Sequence, residues 1–265
     1  MGIKGKVNLR KNAIMRMLSV NDFLKFDELV KNLNVSEATI RRALVKLEEE
    51  GKIIRTHGGA KLFYPTQSIY QFNKKSSINI EQKIVIGKAA AKIIKSNEVI
   101  FLDSGTTVLR VAEAVALRIK SEKLNDLTVI TNSIMVAEIL GDLCKVILLG
   151  GQIRSYRKDV FGPLVEKNIK MFRARKAFIG ADGLTFKEGL MTTDEYTSKI
   201  DEEMINRSKQ IILVADSTKF NKLSFVSYAH LKDIDICITD KDIDEQVKNE
   251  YEAGGLKIIV AETSI

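Results

Sequence analysis

From Glu81 to Val260 this chain alternates short apolar runs with stretches whose apolar residues recur every three or four positions, and that alternation constrains its fold more than any other feature. The short runs predict strands at Val99–Leu102, Thr128–Ile130, Lys145–Leu149, Ala177–Ile179, Ile211–Ala215, Ile236–Thr239 and Lys257–Val260. The periodic stretches predict helices at Lys83–Lys95, Thr106–Ala116, Ser133–Leu140 and Asp194–Ser208. Apolar strands alternating with helices imply an α/β fold with a doubly wound, mostly parallel sheet. In such sheets ligands sit outside the carboxyl ends of the strands. The polar residues at those ends are Asp103-Ser104-Gly105-Thr106-Thr107, Thr131-Asn132-Ser133, Gly150-Gly151, Gly180-Ala181-Asp182-Gly183, Asp216-Ser217-Thr218-Lys219 and Asp240.

The DSGTT run (Asp103–Thr107) is the most chemically readable of these. A glycine among hydroxyl residues, at a strand end and opening a helix, offers backbone N–H groups, hydroxyls and a helix dipole to an anion. The ordinary alternative is a capped turn, which any α/β protein contains several times. No GxGxxG and no Walker A lysine motif is present, which disfavours dinucleotides and ATP. Several polar strand ends converging on one edge favour a small anionic ligand, with Lys75, Lys83 and Lys219 available to neutralise it.

Charge separates the chain into two parts. Residues 1–60 carry 12 Lys+Arg against 7 Asp+Glu, whereas the remaining 205 residues carry 30 against 27. A small basic module on a nearly neutral body suits contact with a phosphate backbone. Within that module Leu9–Ser19, Phe26–Leu33 and Glu37–Glu50 have helical periodicity. Asn34 is placed to turn the chain, Ser36 to cap the third helix and Gly51 to stop it. That helix buries Ile40, Leu44 and Leu47 and presents Glu37, Ala38, Arg41, Arg42 and Val45 to solvent. Lys52–Arg55, the turn at His57-Gly58-Gly59 and Ala60–Phe63 predict a hairpin, so the whole reads as a winged helix-turn-helix. Arg55, His57 and Lys61 of the wing would lie against phosphates, and Gly58 and Gly59 allow close backbone approach.

The run VSEATIRRALVKLEEEGKIIRTHGGA (Val35–Ala60) resembles the DNA-binding signature of DeoR-type transcriptional regulators. DSGTT, TNS, LLGG, FIGADG, ADSTKF and ITD, in this order, resemble the effector domain of the same regulators, so the likeness covers nearly the whole chain. The resemblance implies a C-terminal domain related in fold to ribose-phosphate isomerase, and operator DNA and a phosphorylated sugar as partners. It makes Ser36, Thr39, Arg41 and Arg42 the candidates for base or phosphate contact. It places phosphate on the DSGTT loop and assigns sugar-phosphate contacts to Lys83, Asp216 and Lys219. Two departures stand out: Ala43 where the family usually has Asp after the arginine pair, which takes a charge from the reading helix, and Lys75 where it most often has Arg. A lysine keeps the charge and loses the bidentate fork. Asn132, Gly151 and Asp182 complete the expected effector set.

These readings divide the chain into a winged module (1–62), a linker (63–80) and an effector domain (81–265). A single winged module makes a small interface, so a homo-oligomer, dimer or tetramer, is expected. A sugar-phosphate isomerase or deaminase with an accessory nucleic-acid domain is the alternative, because Asp103, Asp182 and Glu188 stand at strand ends. However, no histidine accompanies them to share acid and base roles. No cofactor or metal is expected, since the 2 Cys and 2 His lack ligand spacing. No run approaches ~18 apolar residues, and the polar, basic start is followed by no apolar h-region. A cytoplasmic protein without a membrane partner is the expectation.

Overall fold

The computed structural model describes residues 3–20, 23–50, 52–56, 58–62 and 71–262. Its N-terminal part runs α1 (Ile3–Val20), β1 (Phe23–Lys25), α2 (Phe26–Leu33), α3 (Glu37–Glu49), β2 (Ile53–Thr56) and β3 (Gly59–Leu62). Asn34 turns the chain between α2 and α3 at φ 48°, ψ 48°, a left-handed conformation that asparagine tolerates. Ser36 stands at the N-cap of α3, yet its hydroxyl bonds the Thr39 hydroxyl (2.8 Å) rather than a backbone N–H. Ile40, Ala43, Leu44 and Leu47 share one face of α3 at three- and four-residue spacing and enter a core with Ile14, Leu18 and Leu29. Ala43 is therefore a packing position, 5 % exposed, and its lack of charge leaves the solvent face of the helix unchanged.

The wing has a third strand that the sequence reading missed. Strand β1 pairs antiparallel with β3, which also pairs with β2, giving the order β1-β3-β2. Three residues are too few to display alternation. The pairing requires glycine at position 59, because a Cβ there would lie 2.0 Å from the Leu24 carbonyl oxygen. Gly51, His57, Phe63 and residues 63–70 of the expected linker lie outside the described residues.

The body follows as α4 (Phe72–Ser77), α5 (Ile80–Ile93), β4 (Val99–Leu102), α6 (Thr106–Lys120), β5 (Thr128–Thr131), α7 (Ile134–Leu140) and β6 (Lys145–Leu148). Then come β7 (Gln152–Arg154), β8 (Asp159–Phe161), α8 (Pro163–Ile169), β9 (Ala174–Ile179), β10 (Gly183–Thr185), β11 (Gly189–Thr192) and α9 (Glu195–Asn206). Strands β12 (Ser208–Val214), β13 (Val226–Ala229) and β14 (Ile236–Asp240), helix α10 (Glu245–Ala253) and β15 (Ile258–Ala261) complete it. Part of the expected linker is thus helical: α4 is seated by buried Phe72, whose N–H donates to the Tyr156 carbonyl.

Seven parallel strands form the central sheet in the order β15-β14-β12-β9-β4-β5-β6. Successive side chains of each strand serve opposite layers. Ile100, Leu102, Phe178, Ile212 and Ile238 pack with Ile86, Val108 and Val115 of α5 and α6. Phe101, Ala177, Ile179, Leu213 and Cys237 pack with Val165, Ile200, Met204 and Tyr251 of α8, α9 and α10. Burial on both faces explains why the strands read as continuous apolar runs. The chain leaves β4 towards β5 and β6, then returns to β9 on the other side of β4. The winding direction reverses between β4 and β9.

A small antiparallel sheet, β10-β11-β13, lies beyond these strand ends. Met191 of β11 and Leu223 belong to the same buried cluster as the core of the winged module, and Arg16 of α1 pairs with Glu250 of α10 at 2.5 Å.

Candidate functional site

At the reversal between β4 and β9 the strand ends open into a polar, solvent-open cleft. Such a point leaves a crevice because the two crossover connections diverge to opposite faces of the sheet. Asp103, at the end of β4, spans the gap. Its Oδ1 accepts the Gly105 N–H (2.5 Å) and its Oδ2 accepts the Gly180 N–H at the end of β9 (2.6 Å). Burial pushes this carboxyl up to about 6 against the pull of the two N–H donors. Gly105 is then the N-cap of the 15-residue α6 and brings no side-chain cap, so the first N–H groups of the helix face the cleft beside Thr106 and Thr107. An uncapped helix start of this kind is a ready anion site.

Four cations line the same cleft, each from a different element: Lys75 of α4, Lys83 of α5, Arg157 of the β7–β8 turn and Lys219 of the turn after β12. Lys83 is 3 % exposed and donates to the Lys75 carbonyl (2.6 Å). Burial, aided by the nearby Lys219 charge, lowers its pKa to about 8. Lys75 Nζ pairs with Asp182 Oδ1 (2.8 Å), while the other oxygen of Asp182 accepts the Thr193 N–H (3.1 Å) and hydroxyl (3.0 Å). Burial works to raise the Asp182 carboxyl, but Lys75 holds it far below the usual carboxylate range. Thr192, Thr197 and Asp201 complete the lining of the cleft.

Behind the cleft a buried ionic network fixes the β7–β8 hairpin to α9. Arg154 makes a two-bond fork to Asp159 (Nε–Oδ1 2.9 Å, Nη2–Oδ2 2.7 Å) and donates Nη1 to Asp194 (2.7 Å). Asp194 caps α9 through the Thr197 N–H (2.7 Å), and Ser104 Oγ reaches Asp159 at 3.4 Å.

On the winged module, Arg41 and Arg42 occupy the solvent face of α3. The Arg41 side chain is 69 % exposed, stacks on the Phe26 ring (4.6 Å) and pairs loosely with Glu37 (3.7 Å). Thr39 is half-buried and Gly58 is exposed at the wing turn. Arg55 has a partner within the module. It is held to Glu48 of α3 by its backbone N–H (3.1 Å) and its Nε (2.6 Å), contacts that keep the Glu48 carboxyl below its ordinary range. Arg55 thus braces the wing against the helix while its side chain stays 44 % exposed, and Lys61 is exposed as well.

Residues 78–241 match the family described as the DeoR C terminal sensor domain, and residues 10–66 match the DeoR-like helix-turn-helix domain. The chain belongs to the DeoR family of transcriptional regulators. The HTH-type transcriptional repressor GlcR of Bacillus subtilis (strain 168) is 34% identical over 93% of this chain and 96% of its own. The HTH-type transcriptional regulator GlpR of Haloferax volcanii is 32% identical over 94% and 96%. The lactose phosphotransferase system repressor of Lactococcus lactis is 33% identical over 91% and 94%. Among solved structures, ribose 5-phosphate isomerase A of Methanocaldococcus jannaschii overlaps 54% of this chain and 55% of its own, with 18% identity and a TM-score of 0.41.

Of the effector residues expected from sequence, Lys75, Lys83, Asp103, Ser104, Gly105, Thr106, Thr107, Asp182 and Lys219 line the one cleft. Asn132, Gly151 and Asp216 do not. Asn132 stands at the end of β5, past the reversal, where its amide donates to the Val160 carbonyl (3.2 Å) and holds β8. Gly151 serves close packing, since a Cβ there would meet the Phe161 carbonyl oxygen at 2.6 Å. Asp216 is buried beside the cleft, accepting from Asn79 (3.1 Å) and the Thr218 hydroxyl and lying 3.8 Å from Lys219. Burial pushes its carboxyl up, and the Lys219 charge with these bonds brings it below the usual value. It is placed to position Lys219. Glu188, the third acid of the enzymatic alternative, sits in the β10–β11 turn, where its carboxylate pairs with Lys187 (3.7 Å).

Arg157, Thr192, Thr197 and Asp201 escaped the sequence reading because the last two come from a helix flank and the first from a turn. No described helix is long and apolar enough to cross a membrane. Among the described residues, no group of three His, Cys, Asp or Glu is placed to hold a metal ion.

Proposed function

We propose that this DeoR-family regulator is a sequence-specific repressor of a carbohydrate-metabolism operon in the cytoplasm, released or retained on its operator by a phosphorylated sugar bound in the β4–β9 cleft. The observation that carries the reading is the uncapped start of α6 surrounded by Lys75, Lys83, Arg157 and Lys219. N–H dipoles and converging cations together suit a phosphate dianion. The names of two relatives, a repressor and a lactose phosphotransferase system repressor, support the regulatory direction and the carbohydrate setting. The winged module would read one half-site, so a homodimer or tetramer presents the paired modules. Effector control requires that the ligand bind the DNA-competent and DNA-incompetent arrangements with different free energies.

A thermal-unfolding screen against phosphorylated sugars, with their unphosphorylated forms as controls, tests this reading. A ligand at ~100-fold over its dissociation constant adds about 2.7 kcal/mol. Stabilisation by unphosphorylated sugars alone, or by none of the panel, would remove the sugar-phosphate sensor. Lys219→Ala is expected to abolish the ligand-induced shift while the folded protein still binds DNA. Loss of DNA binding by a folded K219A protein would contradict this division of labour.

The affinity should also be bell-shaped in pH. A phosphate monoester becomes a dianion above about 6. Lys83 is protonated below its value of about 8, so its charge attracts the dianion at neutral pH and is lost as the pH rises through 8. Calorimetric titrations across pH 5 to 10 are therefore expected to show tightest binding between these limits. Affinity that holds flat well above pH 8 would take Lys83 out of the phosphate site.

A further inference from the structure

The cleft has a second chemical character, an acidic one. Three of its lining residues are acids: Asp103, Asp182 and Asp201. Two of them are engaged by the protein itself. Asp103 takes two backbone N–H donors, and Asp182 takes Lys75 and Thr193. Asp201 differs. It is 3 % exposed, lines the cleft from α9, and accepts no hydrogen bond from any described residue. Arg157, a cation whose charge acts on Asp201, has an ion pair with Asp159 (3.7 Å). A buried carboxylate is costly unless it meets a cation or strong donors. Here burial, reinforced by the charge of Asp103 and only partly offset by that of Arg157, holds the Asp201 proton well above the usual range.

We propose that Asp201 receives a primary ammonium group of the ligand, so that the effector class is an amino-sugar phosphate: phosphate at the α6 start and the lysines, amine at Asp201. An ammonium brings a positive charge that favours the ionised form of Asp201 and up to three donors, whereas a hydroxyl at the same place brings one donor and leaves Asp201 protonated. The inference rests on the sugar-phosphate reading above and narrows it.

The experiment is a binding comparison of matched pairs on the full chain. Glucosamine, mannosamine and galactosamine 6-phosphates are each set against the parent hexose 6-phosphate and the N-acetylated form. At least one amine-bearing member should bind ~10-fold or more tightly than both of its partners. In Asp201→Asn the preference, read as the ratio of the variant's own affinities for the amine-bearing and parent sugars, should collapse to within ~3-fold. The wild-type comparison stands on its own should the variant fold poorly. Equal or tighter binding of the parent sugars across all pairs would overturn the assignment and leave the sugar-phosphate reading intact, as would a preference that survives Asp201→Asn. If phosphorylated sugars of neither kind bind, both readings fall together.

Discussion

Arg154→Leu is expected to cost about 3–5 kcal/mol of stability, the range for breaking a buried ion pair by removing one partner. Asp159 is fully buried and takes both of its strongest bonds from this guanidinium, so the substitution leaves its carboxylate with only the longer contacts to Arg157 (3.7 Å) and Ser104 (3.4 Å). It also removes the Asp194 contact that anchors the start of α9. At about 2–4 °C per kcal/mol for a chain approaching this length, the midpoint should fall by roughly 6–20 °C. The loss should shrink in acid, because a protonated Asp159 no longer buries a charge. Adding Asp159→Leu should recover much of the deficit, since apolar groups of similar volume often replace buried ion pairs without loss. A fall of under ~1 kcal/mol at neutral pH would show that the network is solvated rather than closed.

The second large effect is on DNA. Arg41→Ala combined with Arg42→Ala is expected to weaken operator binding by at least ~30-fold, taking about 1–3 kcal/mol for each base or phosphate contact. Both side chains stand on the solvent face of α3, and Arg41 is already steered by the Phe26 ring and Glu37. Folding should barely notice, because exposed pairs of this kind contribute up to about 1 kcal/mol. The salt dependence separates the roles. A lost phosphate contact lowers the slope of log affinity against log salt by about 1, and a lost base contact relaxes sequence preference instead. Unchanged affinity for a selected operator would move the interface off α3.

Much of the fold was legible because its central strands are buried on both faces. Val99–Leu102 and the helix Phe26–Leu33 have the bounds expected of them, and the other central strands shift by one to three residues at their ends. What escaped was structure without periodic contrast. Strands β1, β7, β8 and β10 are three residues each, and α10 turns only Val247 and Tyr251 inward, so neither displays a repeat. The cleft was legible in the same measure. Strand ends at the reversal point announced Asp103–Thr107 and Asp182, but the rule of strand ends cannot see Asp201, which sits on the second turn of α9 and reaches the cleft through tertiary packing alone. The same rule over-reached at Asn132 and Gly151, which end strands beyond the reversal and serve the β7–β8 hairpin.

The core of the winged module is not sealed within the module. Met191 and Leu223 complete it from the body, and Met191 precedes Thr192, a wall residue of the cleft. For anyone recombining regulators, this makes the boundary near residue 70 a poor place to splice. A foreign reader joined there would inherit two apolar side chains shaped for a different neighbour, and a foreign sensor would leave the reader's hydrophobic floor open. Functional hybrids should be recovered when positions 191 and 223 travel with the N-terminal segment, and should be rare when the parts are exchanged as if they were independent beads.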